Sequence, residues 1–266
     1  MNTRPILALA LAVAAAPAAL AADLPALGNV HAGLSVARPA IIPDGGWFTS
    51  AELGAISTSG NTTGTSVSGK IDARQELPHW SNEYVLSGFF KQDEVMDEEG
   101  NRHRQTSAER YAMSAKTALK LLGEGKRAFA LATHVNDKFG AYTRYTTFAI
   151  GHGSQWYNTD HKTLDVEIGP GYFNGKREDG ESESGVTVRG AARFRWEMSE
   201  SALFAQTVSV ERGTSNMRSV AETSLSTRIN STMQMKAAFS ARNDTNVPPE
   251  KKNTDTQTSL TLVYSF

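Results

Sequence analysis

Cysteine is absent from all 266 residues, which excludes disulfides and thiolate metal sites. Net charge is nearly absent as well, at -1, so nothing in the overall balance draws the chain to nucleic acid or to acidic partners. Hydrophobic residues make up only 39% of the chain. That is below the roughly 45–50% of an average globular domain, a benchmark that also counts Gly. After residue 20 no stretch approaches the ~20 apolar residues of a spanning helix, which excludes a helical membrane protein. No His-x-x-x-His pair occurs, so no metal constellation is legible. Secreted, periplasmic and outer-membrane fates remain.

The N-terminus is what limits the fates to these. A short start with Arg4 precedes an apolar run from Pro5 through Leu20, and Ala19-Leu20-Ala21 supplies the small residues a signal peptidase reads. Residues 1–22 are therefore expected to be a signal peptide, cleaved after Ala21 or Ala22. A membrane anchor is the alternative on length, but the Ala-rich run is only mildly apolar. Residues 23–46 hold Pro25, Pro39, Pro43 and Gly45-Gly46, and read as an irregular leader.

From Trp47 the texture changes to segments of about ten residues in which apolar and polar side chains alternate. Such a period of two is the mark of a strand, whose successive side chains point to opposite faces. In 67–77, Val67, Gly69, Ile71 and Ala73 oppose Lys70, Asp72 and Arg74. In 186–196, Val186, Val188, Phe194 and Trp196 oppose Arg189, Arg193 and Arg195. In 221–229, Leu225 and Ile229 oppose Glu222 and Arg228, and in 233–240, Met233, Met235 and Phe239 oppose Lys236. In 258–266, Leu260, Leu262, Tyr264 and Phe266 oppose Ser and Thr. Weaker segments at 47–58, 82–91, 106–120, 128–138, 143–155, 164–173 and 203–212 bring the total to twelve. Those at 106–120 and 128–138 are Ala-rich and have a helix as rival; Tyr111, Met113 and Leu119 against Arg110, Ser114 and Lys116 favour strand. Tight turns alternate with longer polar connections at 92–105, 174–184 and 243–254. With both termini in the periplasm, every long loop falls on the cell-surface side, as in outer-membrane barrels.

The polar face is heavily charged: Lys70, Asp72, Arg74, Arg110, Lys116, Asp165, Glu167, Arg189, Arg193, Arg195, Glu222, Arg228 and Lys236. A soluble sandwich would bury an apolar inner face. A membrane barrel does the reverse, with a polar lumen and a lipid-facing exterior, and only a closed barrel satisfies every strand's backbone in lipid. The fold expected over 47–266 is thus an all-β, transmembrane antiparallel up-and-down barrel of about twelve strands. Trp47, Trp80, Tyr84, Trp156, Tyr157, Tyr172, Trp196, Tyr264 and Phe266 sit near segment ends and suit interfacial girdles. Gly169-Pro170-Gly171 reads as a bulge or strand end, since proline cannot donate to a ladder.

Several short segments then occur in a familiar order: Ser59-Gly60-Asn61-Thr62, Ala108-Glu109-Arg110-Tyr111, Ile168-Gly169-Pro170-Gly171-Tyr172, Phe194-Arg195-Trp196 and Leu262-Val263-Tyr264-Ser265-Phe266. In this the chain resembles a domain-of-unknown-function family of outer-membrane proteins described as salt-induced. The resemblance runs from about Trp47 to the end and implies a barrel in the bacterial outer membrane. It implies no established activity. The partners expected are outer-membrane lipid, the barrel-insertion machinery, which would read the final strand with Tyr264 and Phe266, and small polar solutes. No cofactor is expected.

Three functions follow as expectations. The leading one is a non-enzymatic barrel, a narrow channel for small polar solutes or a structural barrel whose paired Arg and Glu plug it. A hydrolase is the second, with His134 and His152 as the histidines on strands and Ser154 and Ser240 as imaginable nucleophiles. Geometry alone identifies a triad, and no spacing demands one here. A surface receptor or adhesin using loops 92–105 and 243–254 is the third.

Overall fold

The structure is a computed structural model and describes residues 45–58, 63–97, 101–247 and 252–266. The expected signal peptide and the expected leader up to residue 44 lie outside the described residues, as does the segment Ser59-Gly60-Asn61-Thr62. Twelve strands follow one another: β1 (Trp47–Thr58), β2 (Gly64–Glu76), β3 (Trp80–Met96), β4 (Arg102–Lys120), β5 (Lys126–Asp137), β6 (Tyr142–Asn158), β7 (Lys162–Arg177), β8 (Ser182–Glu197), β9 (Ala202–Arg212), β10 (Met217–Arg228), β11 (Met233–Asp244) and β12 (Thr254–Ser265). Each pairs antiparallel with its sequence neighbours, and β12 returns to β1, so the sheet closes into a barrel. Both Ala-rich segments, 106–120 and 128–138, are strands.

The alternation turns into an inside and an outside. Pairing Ile71↔Leu86 and Leu86↔Met113 lines up one apolar row across three strands, and each member is exposed. Ile150, Ile168 and Val188 are likewise exposed, on β6, β7 and β8. The opposite row, Asp72↔Val85 and Val85↔Ser114, is buried. Exposed apolar outside and buried polar inside is the pattern of a wall between lipid and an enclosed lumen.

Strands of 17 and 19 residues in β3 and β4 exceed the ~9–11 that a tilted strand needs to span a bilayer. They therefore project beyond the belt. Here the expected long loop at 92–105 is overturned: strand continues to Met96 and resumes at Arg102. The cause is polar pairing, with Glu94 opposite Arg104 and the Arg102 guanidinium 3.4 Å from Glu94. Outside the lipid both faces are wet, so the hairpin has no apolar alternation to announce it. The loop at 174–184 likewise shrinks, since β7 runs to Arg177 and β8 starts at Ser182.

Gly169-Pro170-Gly171 is neither a bulge nor a strand end. It lies mid-way along β7, in unbroken register with β8 through Gly169↔Arg189, Pro170↔Val188 and Gly171↔Thr187. Toward β6 the register is kept on either side, Ala149↔Gly171 and His152↔Ile168. A Cβ on Gly169 would stand 2.6 Å from the Gly151 Cα, so the glycines permit a close approach of β6 and β7. The bulges fall elsewhere, at Lys91/Gln92, Tyr142/Arg144 and Gln155/Tyr157.

Aromatic side chains gather at the end that carries the termini. Trp47 stacks on Tyr84 at 6.1 Å and Tyr264 packs near Phe266 at 5.8 Å. Trp80, Trp156, Tyr157 and Trp196 are exposed at the same end, whereas Tyr172 lies further up β7.

Candidate lumen site

The inner face is an ionic network. Lys236 on β11 reaches Glu52 on β1 at 3.2 Å and Glu222 on β10 at 3.4 Å. Lys70 stands 3.7 Å from the same Glu52, and Arg74 grips Asp72 through two hydrogen bonds of 3.1 Å. These four strands flank β12 in the ring, two on either side, and period-two alternation delivers each side chain inward.

Other contacts cross the lumen. Arg242 on β11 lies 3.3 Å from Asp137 on β5, a strand six positions away in a ring of twelve. Arg193 on β8 stands 3.9 Å from Glu83 on β3. Shorter reaches along the wall join Lys116 on β4 to Glu167 on β7 and Arg127 on β5 to Asp165 on β7. Arg218 on β10 donates to Asp244 at 2.8 Å and lies over the ring of Tyr145 on β6 at 4.1 Å. Such guanidinium–aromatic stacking adds attraction where water is scarce.

The lumen is not uniformly polar. Val85, Ala112, Val135, Tyr142 and Tyr145 form one buried cluster on the wall of β3 to β6, and Ala118, Phe129, Leu131 and Ala149 form a second. Void space is unequal too. A cavity of about 410 Å³ opens at the end carrying the termini, lined among others by Arg74, Glu83, Arg127, Arg193 and Arg195. Deeper in, beside Lys116, Glu167 and Arg189, the cavity is only about 20 Å³.

The structure places Lys70, Asp72, Arg74, Arg110, Lys116, Asp165, Glu167, Arg189, Arg193, Arg195, Glu222 and Lys236 on the inner face. Arg228 departs from them: it ends β10, exposed at the rim. Sequence reasoning missed Glu52, Glu83, Asp137, Arg218, Arg242 and Asp244. Arg242 and Asp244 continue the polar face of β11 beyond Ser240, so extending that alternation would have found them. Asp137 carries no comparable signal, because only the closed ring brings it to Arg242.

The two strand histidines do not meet a lumen nucleophile. His134 and His152 lie on the outer face, His134 at 2.8 Å from Thr146, while Ser240 is buried inside. Neither histidine is therefore a lumen residue, and the wall separates both from Ser240.

Against known proteins, the chain is 27% identical over 164 residues to the Escherichia coli (strain K12) protein described as "Uncharacterized protein YdiY". The match takes in 61% of this chain and 64% of that relative, under two thirds of its length. Among solved structures, the NanC porin overlays with a TM-score of 0.51 at 6% identity, covering 82% of this chain and 98% of that one. The translocator domain of the autotransporter NalP from Neisseria meningitidis gives a TM-score of 0.44 at 14% identity, with 83% and 87% covered. A closed barrel with an apolar exterior is an outer-membrane protein of the bacterial envelope. Residues 51–266 match the family model described as "Protein of unknown function, DUF481", and the chain belongs to that family.

Proposed function

We propose that the barrel is a narrow outer-membrane channel for small polar solutes, closed at rest by ion pairs that cross its lumen. The observation carrying this reading is the Arg242–Asp137 contact at 3.3 Å, made between strands on opposite sides of the ring. A barrel with no conduction task would be as stable with apolar side chains filling the same space. Breaking even for a buried ion pair is the usual outcome of such an exchange. Ionic struts can instead separate when the field or the salt changes. The orientation goes with the reading: the termini, and the 410 Å³ cavity beside them, face the periplasm. Residues 1–22 act as a cleaved signal peptide.

Planar-bilayer conductance tests it. The wild-type barrel is expected to conduct in brief, small events, and Asp137→Asn to hold the channel open longer. If neither protein ever conducts, the channel reading fails and a structural barrel remains, a role that the filled lumen would also suit. The insertion machinery is the expected partner at the C-terminus, where Phe266 exchanges two backbone hydrogen bonds with Thr49, at 2.9 and 3.1 Å.

A further inference from the structure

We infer that the cavity at the terminal end of the lumen is a binding site for a small oxyanion, a phosphate or carboxylate group, held by Arg195. This goes beyond conduction, and it rests on the channel reading only for the route by which an anion would leave.

The argument is one of unmatched charge. Cations lining the cavity are mostly engaged. Arg74 holds Asp72 and approaches Glu83 at 3.9 Å, Arg127 pairs with Asp165, and Arg193 shares Glu83. Arg195 differs. Its direct neighbours on the inner face are Thr163 on β7 and Ala205 on β9, both uncharged. Arg193, one step along the same face, has Asp165 opposite it. Among the described residues no carboxylate stands within ion-pair distance of Arg195. The acids near the cavity do not close on Arg195: Glu76 pairs with Lys120 at 2.9 Å, Asp165 pairs with Arg127, Asp160 belongs to the turn after β6, and Glu197, two residues on along the same face of β8, attracts Arg195 without reaching ion-pair distance.

A partly buried guanidinium with no acid opposite is costly unless something anionic completes it. Its planar fork of donors matches two oxygens of a phosphate or carboxylate. A volume of about 410 Å³ lies within the range of small-molecule sites and admits such a group with a short organic body. Asn82 and Thr163 in the lining offer neutral polar contacts to it.

The test is calorimetric titration of inorganic phosphate into the detergent-solubilised barrel. Saturable binding is expected for the wild type. Arg195→Gln should weaken it about tenfold or more, and Arg195→Lys, which keeps the charge but loses the fork, should fall between. Arg102→Gln, exposed on the β3–β4 hairpin at the opposite end of the barrel, should leave it unchanged. Ala205→Asp supplies a carboxylate opposite Arg195 and should abolish binding in a barrel that still shifts on heating in gels. That variant decides the matter if Arg195→Gln does not fold. No saturable binding by the wild type, or unaltered binding in Ala205→Asp, overturns the site. The channel reading stands or falls separately, because a silent barrel that binds phosphate keeps the site, and a conducting one that does not loses it.

Discussion

The Lys236 ammonium on β11 lies 3.2 Å from the Glu52 carboxylate on β1, reaching past β12 to join the two ends of the sheet. Both side chains are buried, at 5% and 8% exposure. The backbone closure beneath them is short. β1 and β12 pair only from Ser50↔Ser265 to Leu53↔Leu262, together with the Thr49–Phe266 hydrogen bonds, whereas β1 and β2 pair along the full length of β1. Glu52→Gln leaves the Lys236 charge with Glu222 alone, and a cost of roughly 3 kcal/mol is expected. Equilibrium urea unfolding in vesicles measures it. A loss below about 0.5 kcal/mol, the size of a surface pair, would show that the seam does not depend on this contact.

The same seam sets a dynamic expectation. Thr49 and Phe266 exchange both hydrogen bonds, so the odd-numbered amides of β1 point toward β12. Those of Ala51 and Leu53 meet paired residues; those of Ala55 and Ser57 lie beyond the last pair. Hydrogen exchange should be faster at Ala55 and Ser57 than at Ala51 and Leu53. Equal protection along β1 would mean that the two strands zip together to the top.

Glycine substitutions should separate two kinds of position. A Cβ at Gly169 meets Gly151 Cα at 2.6 Å, so Gly169→Ala must part β6 from β7 and should cost about 1–3 kcal/mol. A Cβ at Gly88 or Gly190 meets nothing within 4 Å. Alanine there should be neutral or stabilise by about 0.4–1 kcal/mol, mainly by restricting the unfolded chain. Unfolding midpoints of the three variants give the comparison.

Charge on the outer face tests the membrane embedding. Ile150 is 63% exposed near the middle of β6. Ile150→Arg should destabilise by about 2–4 kcal/mol in lipid, while Trp156→Arg near the end of the same strand should cost at most ~1. Equal costs at both depths would contradict a lipid belt around β6.

Loss of the Phe266 ring bears on assembly. The residue is 69% exposed and its ring packs near Tyr264, so Phe266→Ala, which keeps both backbone hydrogen bonds to Thr49, should change the folded barrel little. Delivery to the membrane in cells should fall several-fold, measured as heat-modifiable protein in the outer-membrane fraction. Unchanged delivery would remove Phe266 from any signal read at insertion.

Much of the fold was legible because lipid imposes a simple rule on a strand. Val67, Ile71 and Leu262 must face acyl chains, and Lys70 and Asp72 must not, so the period of two survives wherever the wall is inside the belt. Beyond the belt both faces are wet, and the rule lapses; hence Asp93 to Met96 and Arg102 to Gln105 read as loop although they pair as strand. The midpoint of β7 misled for another reason. Proline argues against a central strand in general, but the small residues at 151, 169 and 171 let the backbones close around Pro170.

The amino-acid sequence by itself determined that there would be twelve strands, which side chains each would turn to lipid, and that lysine, arginine, aspartate and glutamate would share the inner face. These follow from local geometry, since neighbouring side chains on a strand point opposite ways. Only the closed ring decided which charges meet. Arg242 and Asp137 are 105 residues apart, and Arg195 faces uncharged neighbours because of the register of β7, β8 and β9. Pairing across a lumen depends on strand count, stagger and closure together, and no single segment carries that information.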